Sequence, residues 1–450
     1  MEAEVNVMKD TENYIESFAH FEKSAVGNGR SWLRRMRRDA IDHFSERGFP
    51  TVFDEEWRFT NLSPMLRTSF KLAQESCVQL SSAELKKLII PDLTCSQIVF
   101  VNGRYSPELS STRSLPEGVK VLSLAQAFET DEGLLEQHLA QYVNYQNDAF
   151  SALNAAFMED GVLIYIPKGI VLKEPIHVLY VSVATETPLI SHPHNLIIAD
   201  DDSQAFIVED YVSLNDNDVY LSNVVTEVVA GENTVLSHYM IERESKKGFN
   251  ISTLRVQQSR SSNFASHSVL IGGSLVRNNV HPVMVGEGCD CLINGLFMAT
   301  GRQHMDNYMK VEHASPHCDS RQFYNGILDG RSHGVFSGRI VVHKGAQKTD
   351  AKQTNRNLVL SERAQIDTKP QLEIYADDVK CTHGATIGQL DQEAIFYLRS
   401  RGIDEELART FLLVAFANES LDRMKIEPVR RYLNSAVIQW FNQRKGEQIL

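Results

Sequence analysis

From residue 161 to about 388 the chain keeps one texture: short runs of alternating apolar residues broken by polar turns, with almost no helical spacing. A phrase recurs in this stretch: a hydrophobic pair, one further residue, a polar turn, then a small residue. It reads IIADDDS to Ser203, VVAGENT to Thr234 and VMVGEGC to Cys289. Looser copies close on Ser262, Cys318, Ala346, Ala364 and Cys381, giving steps, by subtraction, of 31, 28, 27, 29, 28, 18 and 17 residues. A unit of this size cannot bury its apolar face alone and has to stack on the next one. The period of two excludes helical repeats and points to a β-solenoid. In such a stack each strand pairs with its equivalent in the neighbouring coil, and open edges remain only at the two ends. The hexapeptide code of acyltransferase solenoids is absent.

The flanks follow a different period. Residues 1–160 read as mostly helical: Trp32, Met36, Ile41 and Phe44 fall at near-helical spacing and Gly48 stops the run. Arg34, Arg35, Arg37 and Arg38 on that run read as a solvated face. EEWRFTNLSP (55–64) is irregular, and SQIVFVNGRY and VKVLSL are short strands. After Leu390 helical spacing returns, with Asp404 as an N-cap followed by Glu405 and Glu406 in the first turn. The apolar run Phe411, Leu412, Leu413 through Phe416 exceeds what one exposed helix requires, so it is either core or a partner-docking surface. The division is 1–160, 161–388 and 389–450.

Charge and cysteine usage narrow the function. A net charge of −13 argues against nucleic acid, which needs a broad basic face. No apolar run is long enough to span a bilayer, and the acidic N-terminus is unlike a signal peptide, so the expected compartment is the cytoplasm. Cys77, Cys95, Cys289, Cys291, Cys318 and Cys381 include no C-x-x-C pair, and free thiols are expected. No phosphate-binding loop is present, because GAQKTD (345–350) is too short, so no nucleotide is expected on this chain.

The candidate site is KCTHG, in which Cys381 and His383 stand two apart on a strand and share a face. In the repeat alignment Cys381 takes the small corner slot, and His383 falls where other copies carry Ala205, Leu236, Phe264, Cys291, Ser320, Lys348 and Ile366. An imidazole would then occupy a slot that mostly holds hydrocarbon, on the last coil. Imidazole plus thiolate suits iron or zinc, but two ligands do not complete a site; the alternative is a buried histidine beside a small hydrophobic cysteine. Cys289 and Cys291 read as core, and His304, His313, His317, His333 and His343 as turn or surface residues. Asp377 and Asp378 are adjacent and point to opposite faces, which disfavours the paired acids of a polysaccharide-acting β-helix enzyme.

The run from GAQKTD through KCTHGATIGQLDQEAIFYLRSRGI (345–403), with FYNGILDGRSHGVFSGRIVV and EEWRFTNL upstream, strongly resembles the SufB/SufD family of iron–sulfur cluster assembly proteins. Leu398 stands where SufB members carry a cysteine, so the chain is closer to the SufD branch. The resemblance implies a mainly β fold, a right-handed parallel β-helix between α-helical N- and C-terminal regions. It implies a scaffold rather than an enzyme, a SufB-like partner joined through the β-helices and a SufC-like ATPase docked on the C-terminal helices. A transient iron–sulfur cluster at the subunit interface would involve His383 and Cys381. A homodimeric cluster carrier is the alternative.

Overall fold

The computed structural model describes residues 2–73, 80–113 and 115–447, so Cys77 lies outside the described residues. Sixteen strands wind in eight coils. They are β1 (Val162–Ile166), β2 (Ile176–Ser182), β3 (His194–Ala199), β4 (Gln204–Ser213), β5 (Tyr220–Ala230), β6 (Val235–Arg243), β7 (Phe249–Gln258) and β8 (Asn263–Leu270). The second half adds β9 (Leu275–Met284), β10 (Asp290–Ala299), β11 (His304–His313), β12 (Asp319–Leu328), β13 (His333–Val342), β14 (Asp350–Val359), β15 (Gln365–Ile374) and β16 (Lys380–Gly388). Odd strands build one parallel sheet and even strands the other. The expected parallel β-helix is therefore the fold, and a lumen filled by Ile197, Ile207, Phe264, Phe297, Met309 and Phe336 is its core.

One corner recurs for a local reason. The residue before the small residue that precedes each even strand from β4 to β14 has a left-handed backbone: Asp202, Asn233, Ser261, Gly288, His317 and Lys348. The small residue then donates to the carbonyl three or so positions back, as Ser203 does to Asp200 (2.6 Å), Thr234 to Gly231 (3.0 Å) and Thr349 to Ala346 (2.9 Å). A hydroxyl or thiol in this slot gives the turn carbonyl a side-chain donor from within the corner itself.

The first five expected copies, Ser203 to Cys318, stack in register, and the last three do not. The sixth corner is Thr349 rather than Ala346, since Asp350 pairs with Asp319. Ala364 precedes β15 and belongs to the opposite sheet. Cys381 lies on Ala351, two residues past the corner. The steps after Cys318 are therefore 31 to Thr349 and 30 to Val379, by subtraction.

The outer sheet faces are covered by the terminal regions, the even-strand face also by N-terminal residues such as Leu80, Ile90 and Leu109. On the odd-strand face, α1 (Glu2–Ser24), α2 (Ser31–Arg47) and α3 (Ala149–Phe157) pack over Leu196, Ile198, Val225 and Ile251. Arg37, expected on a solvated face, is instead buried, donating to Val26 O (2.9 Å) and Met158 O (2.6 Å). On the even-strand face, α4 (Gln392–Ser400) leads into α5 (Glu405–Leu421) and α6 (Glu427–Glu447), which pack on Val208, Ile241, Val269 and Met298. Asn294 donates to Ser420 O (3.0 Å) and Asn325 to Phe416 O (2.9 Å), fixing α5 on the sheet.

The two ends of the stack differ. At the first end, Ser96–Val101 pairs in parallel with β2 and Lys120–Ser123 antiparallel with β1, so both sheets reach back across the expected boundary at residue 160. Phe100, Tyr180 and Tyr211 stack there at 4.8 and 5.0 Å, close to the rung spacing. At the other end β15 and β16 are the last strands of their sheets, with no strand beyond them among the described residues.

Candidate functional site: the bare terminal coil

Strand β16 pairs with β14 so that Cys381 lies over Ala351 and His383 over Gln353. Ala351 and Gln353 are buried and inward-facing, and the parallel register gives Cys381 and His383 the same facing one coil higher. The two fates diverge at the end of the stack. Gln353 is sealed by the coil above it, whereas His383 has none and is exposed.

Cys381 is half-buried, packed beside Ile340, Val342, Ala351 and Ala376. Burial pushes its thiol above the ordinary range, a backbone hydrogen bond from Ala351 opposes this, and the charge of Asp350 reinforces it. The resting sulfur is thus a thiol, and metal binding there must displace its proton.

The slot of His383 is not the hydrocarbon position expected from the repeat. Ala205, Leu236, Phe264, Cys291 and Ser320 stack beneath Cys381 instead. Beneath His383 the column reads Gln353, Gln322, Ile293, Ser266 and His238. The amide atoms of Gln353 and Gln322 find no protein hydrogen-bond partner, which makes a polar floor under the imidazole.

Among the described residues no three His, Cys, Asp or Glu side chains converge as a metal site. One imidazole and one thiol are what the terminal coil offers, too few to complete a metal site by themselves.

The same coil is apolar at its rim: Ile374, Tyr375 and Ile387 are all exposed. A Cβ added at Gly384 or Gly388 of β16 would meet nothing within 4 Å, so that strand is open to approach. Two unpaired edges beside exposed apolar side chains form a pairing surface.

The C-terminal helices begin as expected: the Asp404 carboxylate accepts from the N–H groups of Glu406 (2.9 Å) and Leu407 (3.3 Å). Of the four residues expected to dock a partner, Leu413 and Phe416 are buried against the even-strand sheet and belong to the core. Leu412 is half-buried and Phe411 exposed. Phe396 (72% exposed), Tyr397 and Leu407, not singled out from the sequence, also present apolar surface on α4 and α5.

The irregular EEWRFTNL segment is a strap across the odd-strand face. The Arg277 guanidinium (β9) lies 3.8 Å from the Trp57 ring centroid, and Trp57 stacks on Phe150 at 5.3 Å. Arg277 pairs with Asp306 of β11, which also accepts from the Thr60 hydroxyl (2.5 Å). The cue in the sequence was an isolated Trp between charges. Its partners Phe150 and Arg277 lie, by subtraction, 93 and 220 positions away, so sequence spacing could not supply them.

Known proteins bear on this geometry. Residues 181–416 match the family model for the SUF system FeS cluster assembly SufBD core domain, and residues 8–178 that for the SufBD protein N-terminal region. The chain belongs to the SufBD family. An iron–sulfur cluster assembly SufBD family protein of Synechocystis is 35% identical, covering 91% of this chain and 92% of its own length. The iron–sulfur cluster assembly protein SufD of Escherichia coli is 32% identical over 85% of this chain and 87% of itself. SufD of Bacillus subtilis is 24% identical over 95% and 97%. The match runs through both the N-terminal helices and the β-helix, so this SufBD chain is similar to its relatives across its architecture. Among the described residues no helix is long and apolar enough to cross a membrane.

Proposed function

We propose that the chain is a non-enzymatic scaffold subunit of a cytoplasmic Suf assembly complex. Its terminal coil docks end to end on a SufB-like subunit, and a nascent iron–sulfur cluster forms as cargo between them. His383 serves as ligand or proton acceptor, with Cys381 as the supporting thiol. A SufC-like ATPase binds the C-terminal helices through Phe411 with Phe396, Tyr397 and Leu407, and nucleotide stays on that subunit. The observation that carries this reading is the exposed His383 imidazole on a terminal strand whose outer edge is open. An imidazole in place of a thiolate raises a cluster's potential and can take a proton, which favours handing the cluster on.

The test is co-expression with the SufB-like and SufC-like chains of the same organism. The expected result is a complex that survives His383→Ala while cluster formation is lost. Normal cluster supply from a folded His383→Ala complex would refute the ligand role. A homodimeric carrier would instead show visible absorbance when the chain is reconstituted alone under anaerobic conditions.

A further inference from the structure

Walking backwards along the strap from Trp57 climbs the stack. Trp57 sits on Arg277 of β9, Glu56 accepts from the Tyr308 hydroxyl of β11 (2.7 Å), and Glu55 accepts from Lys369 of β15 (2.7 Å). Lys369 holds the Glu55 carboxyl below the ordinary glutamate range by hydrogen bond and charge, with Gln371 and Arg339 adding to this. The segment therefore reaches the last coil, and the residues preceding Glu55 lie at that end.

Those residues form a closed turn. The Asp54 N–H donates to Thr51 O (3.0 Å), and the Asp54 carboxylate accepts from the Thr51 N–H (2.7 Å) and hydroxyl (3.1 Å). The Phe53 N–H donates to the Thr51 hydroxyl oxygen (3.3 Å). On the other side Phe49 is anchored in the core against Phe44 (5.1 Å) and Phe150 (5.6 Å). A turn pinned at both feet presents its tip outward, and the tip is Phe53, 92% exposed, with Val52 beside it. With the turn backbone already fixed, only the two side-chain torsions of Phe53 remain to be ordered on binding.

We propose that Pro50–Asp54 is a clasp, with Phe53 gripping the outer face of the coil that docks on this terminal rung. The inference rests on the end-to-end docking reading above and adds a second, N-terminal contact to it. The occupant is the end of a homologous β-helix, the sister subunit. Only another coil end presents two open edges about 10 Å apart, matching the two unpaired edges of β15 and β16. A partner coil continuing the odd-strand sheet would set its first outward side chains beside Phe53.

The experiment uses the full chain and its SufB-family sister from the same organism. Phe53→Ser is expected to raise the Kd for the sister about tenfold, as loss of an anchoring aromatic does, with an unchanged melting temperature. A photoreactive benzoyl-phenylalanine at position 53 is expected to cross-link to the outer face of the sister's terminal coil. Ile387→Asp, on β16, serves as the control for docking itself. If Ile387→Asp abolishes the complex while Phe53→Ser binds like the parent and no cross-link forms, the clasp is overturned and the docking stands. If neither substitution matters, the docking reading fails as well. Cross-links confined to this chain or to a second copy overturn the assignment of the occupant.

Discussion

Two carboxylates buried at the C-terminal end of β6, Glu242 and Glu244, make the fold's stability sensitive to pH. Glu242 accepts from the N–H groups of Glu244 (2.9 Å) and Gly272 (3.2 Å), while Glu244 accepts from the Ser222 hydroxyl (2.9 Å) and the Asn250 amide (2.7 Å). Burial first, and then the Glu244 charge, push the Glu242 carboxyl up to about 8. Burial lifts Glu244 to about 7 against the pull of Asn250 and Ser222. Above pH 4.5 the folded state holds protons that the unfolded chain releases. The contribution is thus fully present below the unfolded value of 4.5 and is lost as pH rises through 7 to 8. Counting Glu242 alone, at 1.36 kcal/mol per pH unit, raising the pH from about 5.5 to above 8 costs on the order of 3 kcal/mol. Glu242→Gln removes the titrating proton and with it that pH-dependent cost, at a pH-independent penalty because its amide NH2 cannot accept from both the Glu244 and Gly272 N–H groups. Urea unfolding of parent and variant at about pH 5.5, 7 and 8.5 reads the difference, because all other titrating groups are common to both. The variant's stability is expected to fall by about 3 kcal/mol less than the parent's between the acid and alkaline ends. Parallel pH profiles would refute the buried-proton argument.

Other substitutions probe the scaffold around the site. Gly161 has φ +148° and an added Cβ would lie 2.0 Å from the His194 carbonyl oxygen, so Gly161→Ala should cost about 3 kcal/mol or more, read as a lower urea midpoint or loss of folded protein. Trp57→Ala removes the ring between Arg277 and Phe150 and should cost about 3–5 kcal/mol by urea unfolding, with faster proteolysis between residues 50 and 60. Among the cysteines of the described residues in native protein, iodoacetamide should label Cys381 first, at a rate still climbing above pH 9 because burial raises its pKa. Peptide mass spectrometry should find Cys289, Cys291 and Cys318 protected until unfolding, and Cys95 slow because burial pushes it up to about 11.

Much of the architecture is local and was therefore legible. The period of two from Val162 onward and the return of helical spacing after Leu390 mark the two changes of texture, because side-chain alternation is a property of the strand itself. The corner phrase was readable for the same reason: a left-handed residue followed by a small donor is one turn's own chemistry. The pairing of Cys381 with His383 on one face needed only their spacing.

Register along the stack was another matter. It is decided by hydrogen bonds to a strand about thirty residues away, while the turns between are free to vary in length. Counting from turn phrases consequently slipped by three residues at Ala346 and crossed to the other sheet at Ala364. Only the paired strands showed His383 standing on Gln353 and Gln322 rather than on hydrocarbon. The amphipathic run from Phe411 to Phe416 announced a covered face without saying what covers it. Folding placed Leu413 and Phe416 on the even-strand sheet and left Phe411 outside. Sequence alone thus determined that coils form and that Cys381 and His383 share a face, because each depends on neighbours along the chain. Tertiary structure decided which of those residues meet water, because exposure depends on what the rest of the molecule, or its absence beyond the last coil, sets against them.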